Sequence, residues 1–523
     1  MNENMRTTWN RAWISLLLLV IPIASMSFYK PSTQWRDPVF STGYFDPEYL
    51  YLMNSLCVLN GVPPGHKDHP GTPLQIFGGL VLKLENWGQS ADQITVSVIK
   101  NPDKYVADLS YPLAVFCSII LAFIGVVAAQ AFGSVLLGIA FQLFPFASVH
   151  PWNFLFRFTS DLPSMLFSEL FAAFFCLFYL RSKEKGQIPA RDLTILGAVF
   201  GAAMAFKVTA ALMIFFPFIL LRKDRKGIFR FLWVSAVSFL ILIMPIWRRG
   251  IWAFVKWNFN NITHSGKYGG GKTGVLALSS WKANVADILT APSIRPTLVV
   301  IGLGLIYTAF LKKRNQADKI RNLFLVTALI LLIQIAIVAK APNHYYLMAP
   351  LAACSVIFVG LLQAIKRPLL QFGICALFAV YAFQSPINWT FNQDALNQRQ
   401  KLRADAASGM AAAIQKQGCT VISYAPTSAS PIFALYIGDN FTRNYFAPGL
   451  DKIYPNTVIY DLVNQVFYHF DRSEVSPSDL KGRNCLVGNK VPNLQASFPK
   501  PWRLQPIYEN EKDEILYAIE RGT

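Results

Sequence analysis

The residues of this chain best suited to chemistry lie near its N-terminus. Tyr44-Phe45-Asp46-Pro47-Glu48-Tyr49 is followed by His66-Lys67-Asp68-His69-Pro70-Gly71-Thr72-Pro73-Leu74. Carboxylates, imidazoles and an ammonium grouped in this way can move protons and hold anions. Each motif runs into an apolar amphipathic segment, around 49–59 and 74–84, the pattern of helices lying in a membrane interface. Acids, bases and aromatic rings beside a bilayer suit a substrate with a polar head and a lipid tail. The alternative is a solvated loop whose charges do nothing. A second point of interest is Lys207, which interrupts the nearly all-apolar stretch 192–221. An ammonium at mid-membrane costs ~2.5–3.5 kcal/mol on insertion scales. It must therefore snorkel to the headgroups or meet an anion, and no acid lies between Leu193 and Leu221. The phosphate of a lipid-linked substrate would supply one, so Lys207 is expected to hold it and to face the first-loop acids. Gly266-Lys267-Tyr268-Gly269-Gly270-Gly271-Lys272-Thr273 fits the P-loop pattern. That pattern needs a preceding strand, and 257–265 show none, so it reads as a glycine loop that closes over substrate.

The elements that position these residues are membrane helices. Of the 523 residues 53% are hydrophobic and 15% charged, with a mean hydropathy of +0.36. Disorder needs the reverse balance, and an ordinary soluble chain carries about 25% charge. The formal charge is +19, but the basic clusters fall between apolar runs, as cytoplasmic loops require, so no nucleic acid is implied. Runs near the ~20 residues that cross a bilayer lie at 12–29, 111–131, 133–150, 162–180, 229–247, 296–311, 322–339, 344–364 and 368–386. The first reads as a retained anchor, since no small-residue cleavage site follows it. Arg181, Lys183, Lys185 and Arg191 precede the 192–221 stretch, and Arg222, Lys223, Arg225, Lys226 and Arg230 follow it. Both loops belong inside, so 192–221 must be two short helices turning near Lys207. The count is then about eleven crossings, with the N-terminus inside and 30–110, 151–161, 248–295, 340–343 and everything after 387 outside.

The tail 387–523 changes character. An amphipathic helical pattern at 393–417 precedes a β-rich run at Cys419–Tyr424 and apolar runs at 457–468, 485–488 and 514–519. This alternation predicts a small α/β domain outside the membrane. Cys419 and Cys485 both fall in it and can pair in an oxidising compartment. The other five cysteines read as packing residues.

An Asp after the first span, a His-Pro motif in the same loop and Thr159-Ser160-Asp161-Leu162-Pro163 opening a later span together resemble the GT-C superfamily. More closely, they resemble the dolichyl-phosphate-mannose protein mannosyltransferase type, families 39 and 83, which includes the aminoarabinose lipid A transferases. Gly201-Ala202-Ala203-Met204-Ala205-Phe206-Lys207 is similar to the family's Gly-rich hairpin ending in Lys. His344-Tyr345-Tyr346-Leu347-Met348-Ala349-Pro350 is similar to its late Tyr-rich span start. The resemblance covers roughly 10–386 and says little about 387–523.

The resemblance implies a polytopic all-α bundle over 1–386 with a C-terminal α/β domain over 387–523. It also implies transfer of a sugar from a polyprenyl-phosphate donor to an acceptor glycan, lipid or protein at the outer face, with inversion. Asp46 is then the general base on the acceptor hydroxyl; Pro47 separates it from Glu48, so the base could be either. The leaving phosphate needs cations nearby: Lys67, His69, Arg157, Lys207, Lys340 and His344 are the candidates on the outer side. Tyr345 joins them at the phosphate, and Asp161 and Tyr346 contact substrate. Some members hold a divalent ion between a first-loop acid and a later His, for which Asp68 and His264 are the positional matches; no cofactor is otherwise required. The setting implied is a bacterial inner membrane with the tail in the periplasm. Three Asn-x-Thr sequences, at Asn261, Asn388 and Asn440, keep an endoplasmic reticulum membrane open. A transporter or flippase of lipid-linked sugars is the competing reading; it would show internal repeats, and none is found.

Overall fold

A computed structural model describes residues 16–41, 45–66, 71–182, 187–264, 278–311, 315–340, 342–462, 464–480 and 482–521. The chain sorts into two compact units: one of 1–30, 67–73 and 111–388, the other of 31–66, 74–110 and 389–523.

The first unit is an apolar helical bundle. Among the described residues four helices are long and apolar enough to cross a membrane: Pro102–Phe132, Asp161–Arg181, Ala317–Val338 and His344–Ala364. Two sharply bent pairs, Val135–Ala147 with Val149–Leu155 and Ser280–Thr290 with Arg295–Phe310, bend by 89° and 87° and raise the number to six. Length and composition thus account for up to six of the about eleven crossings expected; the others fall on shorter, more charged or partly described segments. The chain is an integral membrane protein.

The 192–221 stretch breaks where the sequence says it should. A helix runs Ala190–Phe206, Lys207 is extended (φ −161°, ψ 134°), and a 3₁₀ turn over Val208–Ile214 leads into a short helix, Phe215–Leu220. The Ala190–Phe206 helix then packs along Arg225–Leu242 through small residues. A Cβ on Gly197 would lie 2.9 Å from the Phe231 carbonyl oxygen, and one on Gly201 2.5 Å from that of Ser235. Ser238 Oγ donates to the Ala198 carbonyl at 3.0 Å, and Ala205 clusters with Ile243. These contacts advance along both helices in the same direction, so the two are parallel. The chain between them must therefore return to the level where it began, as the charge pattern of the flanking loops requires. The close approach is the small-xxx-small packing of membrane helices.

The second unit joins the first loop to the tail. Seven strands, β1 (Thr420–Ser423), β2 (Val458–Asp461), β3 (Val466–Tyr468), β4 (Glu474–Val475), β5 (Asn484–Asn489), β6 (Trp502–Glu509) and β7 (Glu514–Arg521), form one sheet in the order β4-β3-β2-β1-β5-β7-β6. The β1 strand is parallel to β2 and β5, and the remaining pairs are antiparallel. The helix Gln393–Gln417 starts where the Asn392 side chain accepts from the Ala395 amide and ends at Gly418, φ +56°. Left-handed backbone there suits glycine.

The Phe45–Leu59 helix, expected to lie in the membrane interface, is instead a core element: Tyr49 through Leu56 are all buried, and Gly438 of the Ile432–Asn440 helix meets it at Tyr49 and Met53. Its apolar residues surround the axis, so it packs rather than floats. The Thr72–Glu85 helix does expose an apolar row, Ile76, Leu80 and Leu84, as an interfacial helix should. Polar ties bind loop to tail. Tyr454 donates to the Ile99 carbonyl at 3.1 Å, and Asp37 meets Arg399 at 3.2 Å, Lys512 at 3.1 Å and Arg403. Burial pushes the Asp37 carboxyl up, but the Lys512 hydrogen bond and the three cations together hold it below its usual value.

Cys419 and Cys485 are bridged, with Cα atoms 5.8 Å apart, while the other five cysteines are buried and in no disulfide. The bridge closes a loop with a sequence separation of 66, for which chain entropy alone predicts roughly 4 kcal/mol. Alkylation of the denatured, unreduced chain should therefore label five of the seven cysteines. Cys419→Ser should lower the melting temperature of this unit.

Asp439, in the Ile432–Asn440 helix, is buried. One oxygen accepts from the Thr442 hydroxyl and, at 3.0 Å, from the Phe446 amide, and the other has no partner. Burial pushes its carboxyl up to about 6, outweighing those two hydrogen bonds. A raised folded-state value means that ionisation is a cost: absent below about pH 4, complete above about pH 6, and at most ~3 kcal/mol. Asp439→Asn should raise the melting temperature at pH 7.5 and change it little at pH 4.

Candidate functional site

Three side chains from two motifs far apart in sequence converge on Lys207. The first is Asp161, opening the Asp161–Arg181 helix, whose carboxylate Oδ1 receives Lys207 Nζ at 2.5 Å. The others are Tyr345 and Tyr346, on the 3₁₀ turn His344–Leu347, whose ring centroids stand 5.1 and 4.7 Å from that nitrogen. Asp161 and Lys207 are both buried. The break at Lys207 explains the geometry: an extended residue between two helical segments directs its side chain across the bundle. Ser164, one turn beyond Asp161, reaches the Ala203 and Lys207 carbonyls at 3.4 Å, where the helix ladder is interrupted. An ammonium held between a carboxylate and two aromatic faces is compensated by charge and by cation–π attraction.

Among the described residues the carboxylate that meets Lys207 is Asp161, a partner that the sequence-based expectation did not name. The reason is that the search for an anion covered only the neighbouring apolar stretch, whereas helix packing supplies one 46 residues away. An ammonium has three donors, and Asp161 takes one.

The surroundings are aromatic and titratable. Phe154 packs on Tyr345 with centroids 5.5 Å apart. His344 Nε2 lies 3.0 Å from Asp287 Oδ2, and its ring is 6.3 Å from that of His150. Asp287 belongs to the Leu278–Thr290 helix, inside what the hydropathy profile shows only as an outer loop. Its polarity hides it from a search for spans. Arg157 donates Nε to the Asn153 carbonyl at 2.9 Å, and Lys340 donates to the Asn261 carbonyl at 2.8 Å. His264 Nδ1 is 3.2 Å from the Asn260 carbonyl and 3.1 Å from Thr263 Oγ1.

Asp46 lies in the first turn of the Phe45–Leu59 helix; its side chain lies outside the described residues, as do Lys67, Asp68, His69 and the glycine loop 266–273. Glu48 is fully buried, and Arg36 Nη2 donates to both its oxygens, at 2.6 and 2.9 Å. Among the described residues no three His, Cys, Asp or Glu side chains could hold a metal ion together. The Asp68–His264 pair rests on an undescribed partner.

The fold is that of a polytopic membrane protein. Two solved structures match it along nearly the whole chain. The crystal structure of ArnT from Cupriavidus metallidurans bound to undecaprenyl phosphate has a TM-score of 0.52 and 11% identity, over 97% of this chain and 98% of that one. The same protein in the apo state has a TM-score of 0.51 and 12% identity over the same shares. No family model and no curated protein matches the sequence.

Proposed function

We propose that this chain is an integral-membrane glycosyltransferase that takes a sugar from a polyprenyl-phosphate donor and passes it to a hydroxyl of an acceptor glycan, lipid or protein. The observation that carries the reading is the full-length likeness to ArnT, one structure of which holds undecaprenyl phosphate. Together with it stands a buried ammonium, Lys207, held by Asp161 and two tyrosine rings. In this mechanism the acceptor oxygen attacks the anomeric carbon as the bond to the phosphate oxygen breaks, inverting that carbon. The Asp46 carboxylate takes the hydroxyl proton, raising the nucleophilicity of a group that is weak near neutral pH. Lys207 meets the departing phosphate, with His344 and Arg157 as further cations and Tyr345 as a donor. Asp161 positions Lys207, and Tyr346 lines the substrate. Glu48, with both oxygens on Arg36 and no exposed surface, serves the fold. The mechanism needs no cofactor; a divalent ion, if used, would sit between Asp68 and His264. A bacterial inner membrane with the tail in the periplasm suits such a donor.

One observation favours a lipid-linked-sugar transporter instead. Glu169, in the middle of the Asp161–Arg181 helix, is fully buried with one oxygen unpartnered, and isolated intramembrane acids mark transport paths. Vesicles reconstituted with the protein and undecaprenyl-phosphate-linked sugars distinguish the two. Transfer releases undecaprenyl phosphate and labels an acceptor. Movement of intact donor between leaflets without that release would overturn the transferase reading.

A further inference from the structure

At the end of the Ala190–Phe206 helix remote from Lys207, the parallel packing sets two helix starts side by side, Ala190 and Arg225. Between them opens a cavity of about 480 Å³. Lys226 and Arg230 line it, one helical turn apart and so on one face. Arg222, Lys223 and Arg225 stand beside it in sequence. The lining acid, Asp224, is already engaged, accepting from the Gly227 amide at 2.8 Å. Two cations, Lys226 and Arg230, against the one carboxylate of Asp224 leave the lining net positive.

Its remaining wall is apolar and open. Phe229 and Trp233, again one turn apart, line it and are 70% and 63% exposed. From here the helix runs on as an apolar segment to Leu242, so the cavity stands at the boundary between basic loop and hydrocarbon. We propose that it binds the headgroup of an anionic phospholipid: the phosphate meets Lys226 and Arg230, and the acyl chains lie along Phe229 and Trp233. A soluble anion would satisfy the cations and leave both rings bare. A neutral lipid would cover the rings and leave the cations unmatched. A basic pocket between helices on the positively charged membrane face is the kind of site that retains acidic lipids.

Native mass spectrometry of the detergent-solubilised protein tests this, with phosphatidylglycerol and phosphatidylcholine of equal chain length as probes. The wild type should retain phosphatidylglycerol in preference. Lys226→Glu with Arg230→Glu should weaken retention by about tenfold or more, and Lys226→Arg with Arg230→Lys should preserve it. Arg222→Glu with Lys223→Glu makes the same charge change outside the lining and should leave retention intact; each variant is checked for monodispersity first. Equal loss in both charge-reversed pairs would reduce the site to general surface charge. Absence of lipid preference, or displacement of phosphatidylglycerol by an equal concentration of glycerol phosphate, would also overturn it.

Discussion

Asp46→Asn should cut sugar transfer by roughly 10²-fold or more, with the purified protein still folded and monodisperse. The amide keeps the size and shape of the carboxylate and cannot accept a proton at neutral pH. The residue sits in the first turn of a helix whose later residues form the core of the second unit. Glu48→Gln supplies the contrast. It breaks a buried pair with Arg36, which costs on the order of 3–5 kcal/mol, and should leave transfer per folded molecule largely intact. Measured side by side with one donor and one acceptor, the two variants separate chemistry from folding. Near-normal transfer by Asp46→Asn removes it from the mechanism.

Lys207→Met should have two effects that a second substitution pulls apart. Removing the ammonium leaves Asp161 buried without its cation, and losing one partner of such a pair costs on the order of 3–5 kcal/mol. Asp161→Leu added to Lys207→Met removes the orphaned carboxylate, so most of the thermal stability should return. Donor binding should not return. Affinity for undecaprenyl phosphate, measured by tryptophan quenching or by protection from unfolding, should be lost in both variants. Wild-type affinity in the stable double variant would make the pair purely architectural.

Much of this was legible in the sequence, and the physical reasons are uneven. Hydropathy located the helices long and apolar enough to cross, up to six of the about eleven expected, because lipid demands long apolar runs. The break at Lys207 followed from charge alone, since two basic loops on one side force an even number of crossings. The disulfide and five of the seven strands showed through local pattern and compartment. The pairing of Lys207 with Asp161 did not, because a contact 46 residues apart is made by helix packing, which no local pattern encodes. The helices Trp247–Thr263 and Leu278–Thr290 were hidden because they are too polar to register as spans. Burial of the Phe45–Leu59 helix was hidden for a different reason: the tail residues that cover it, around Gly438, lie some 380 positions away. The β6 strand carries Pro506 in its middle, which argues against a strand.

The two outermost strands of the sheet also decide how copies of this protein can meet. On one side β4 is two residues long, too short to offer a ladder. On the other, β6 has Pro506 in it and a register irregularity between Pro506 and Tyr508. A proline has no amide to donate, and an irregular edge twists away from a partner. Neither margin presents the continuous row of donors and acceptors that another strand needs. However densely the protein is packed in its membrane, its sheets cannot join edge to edge into a longer one. Any association between copies is made elsewhere than by extending the sheet.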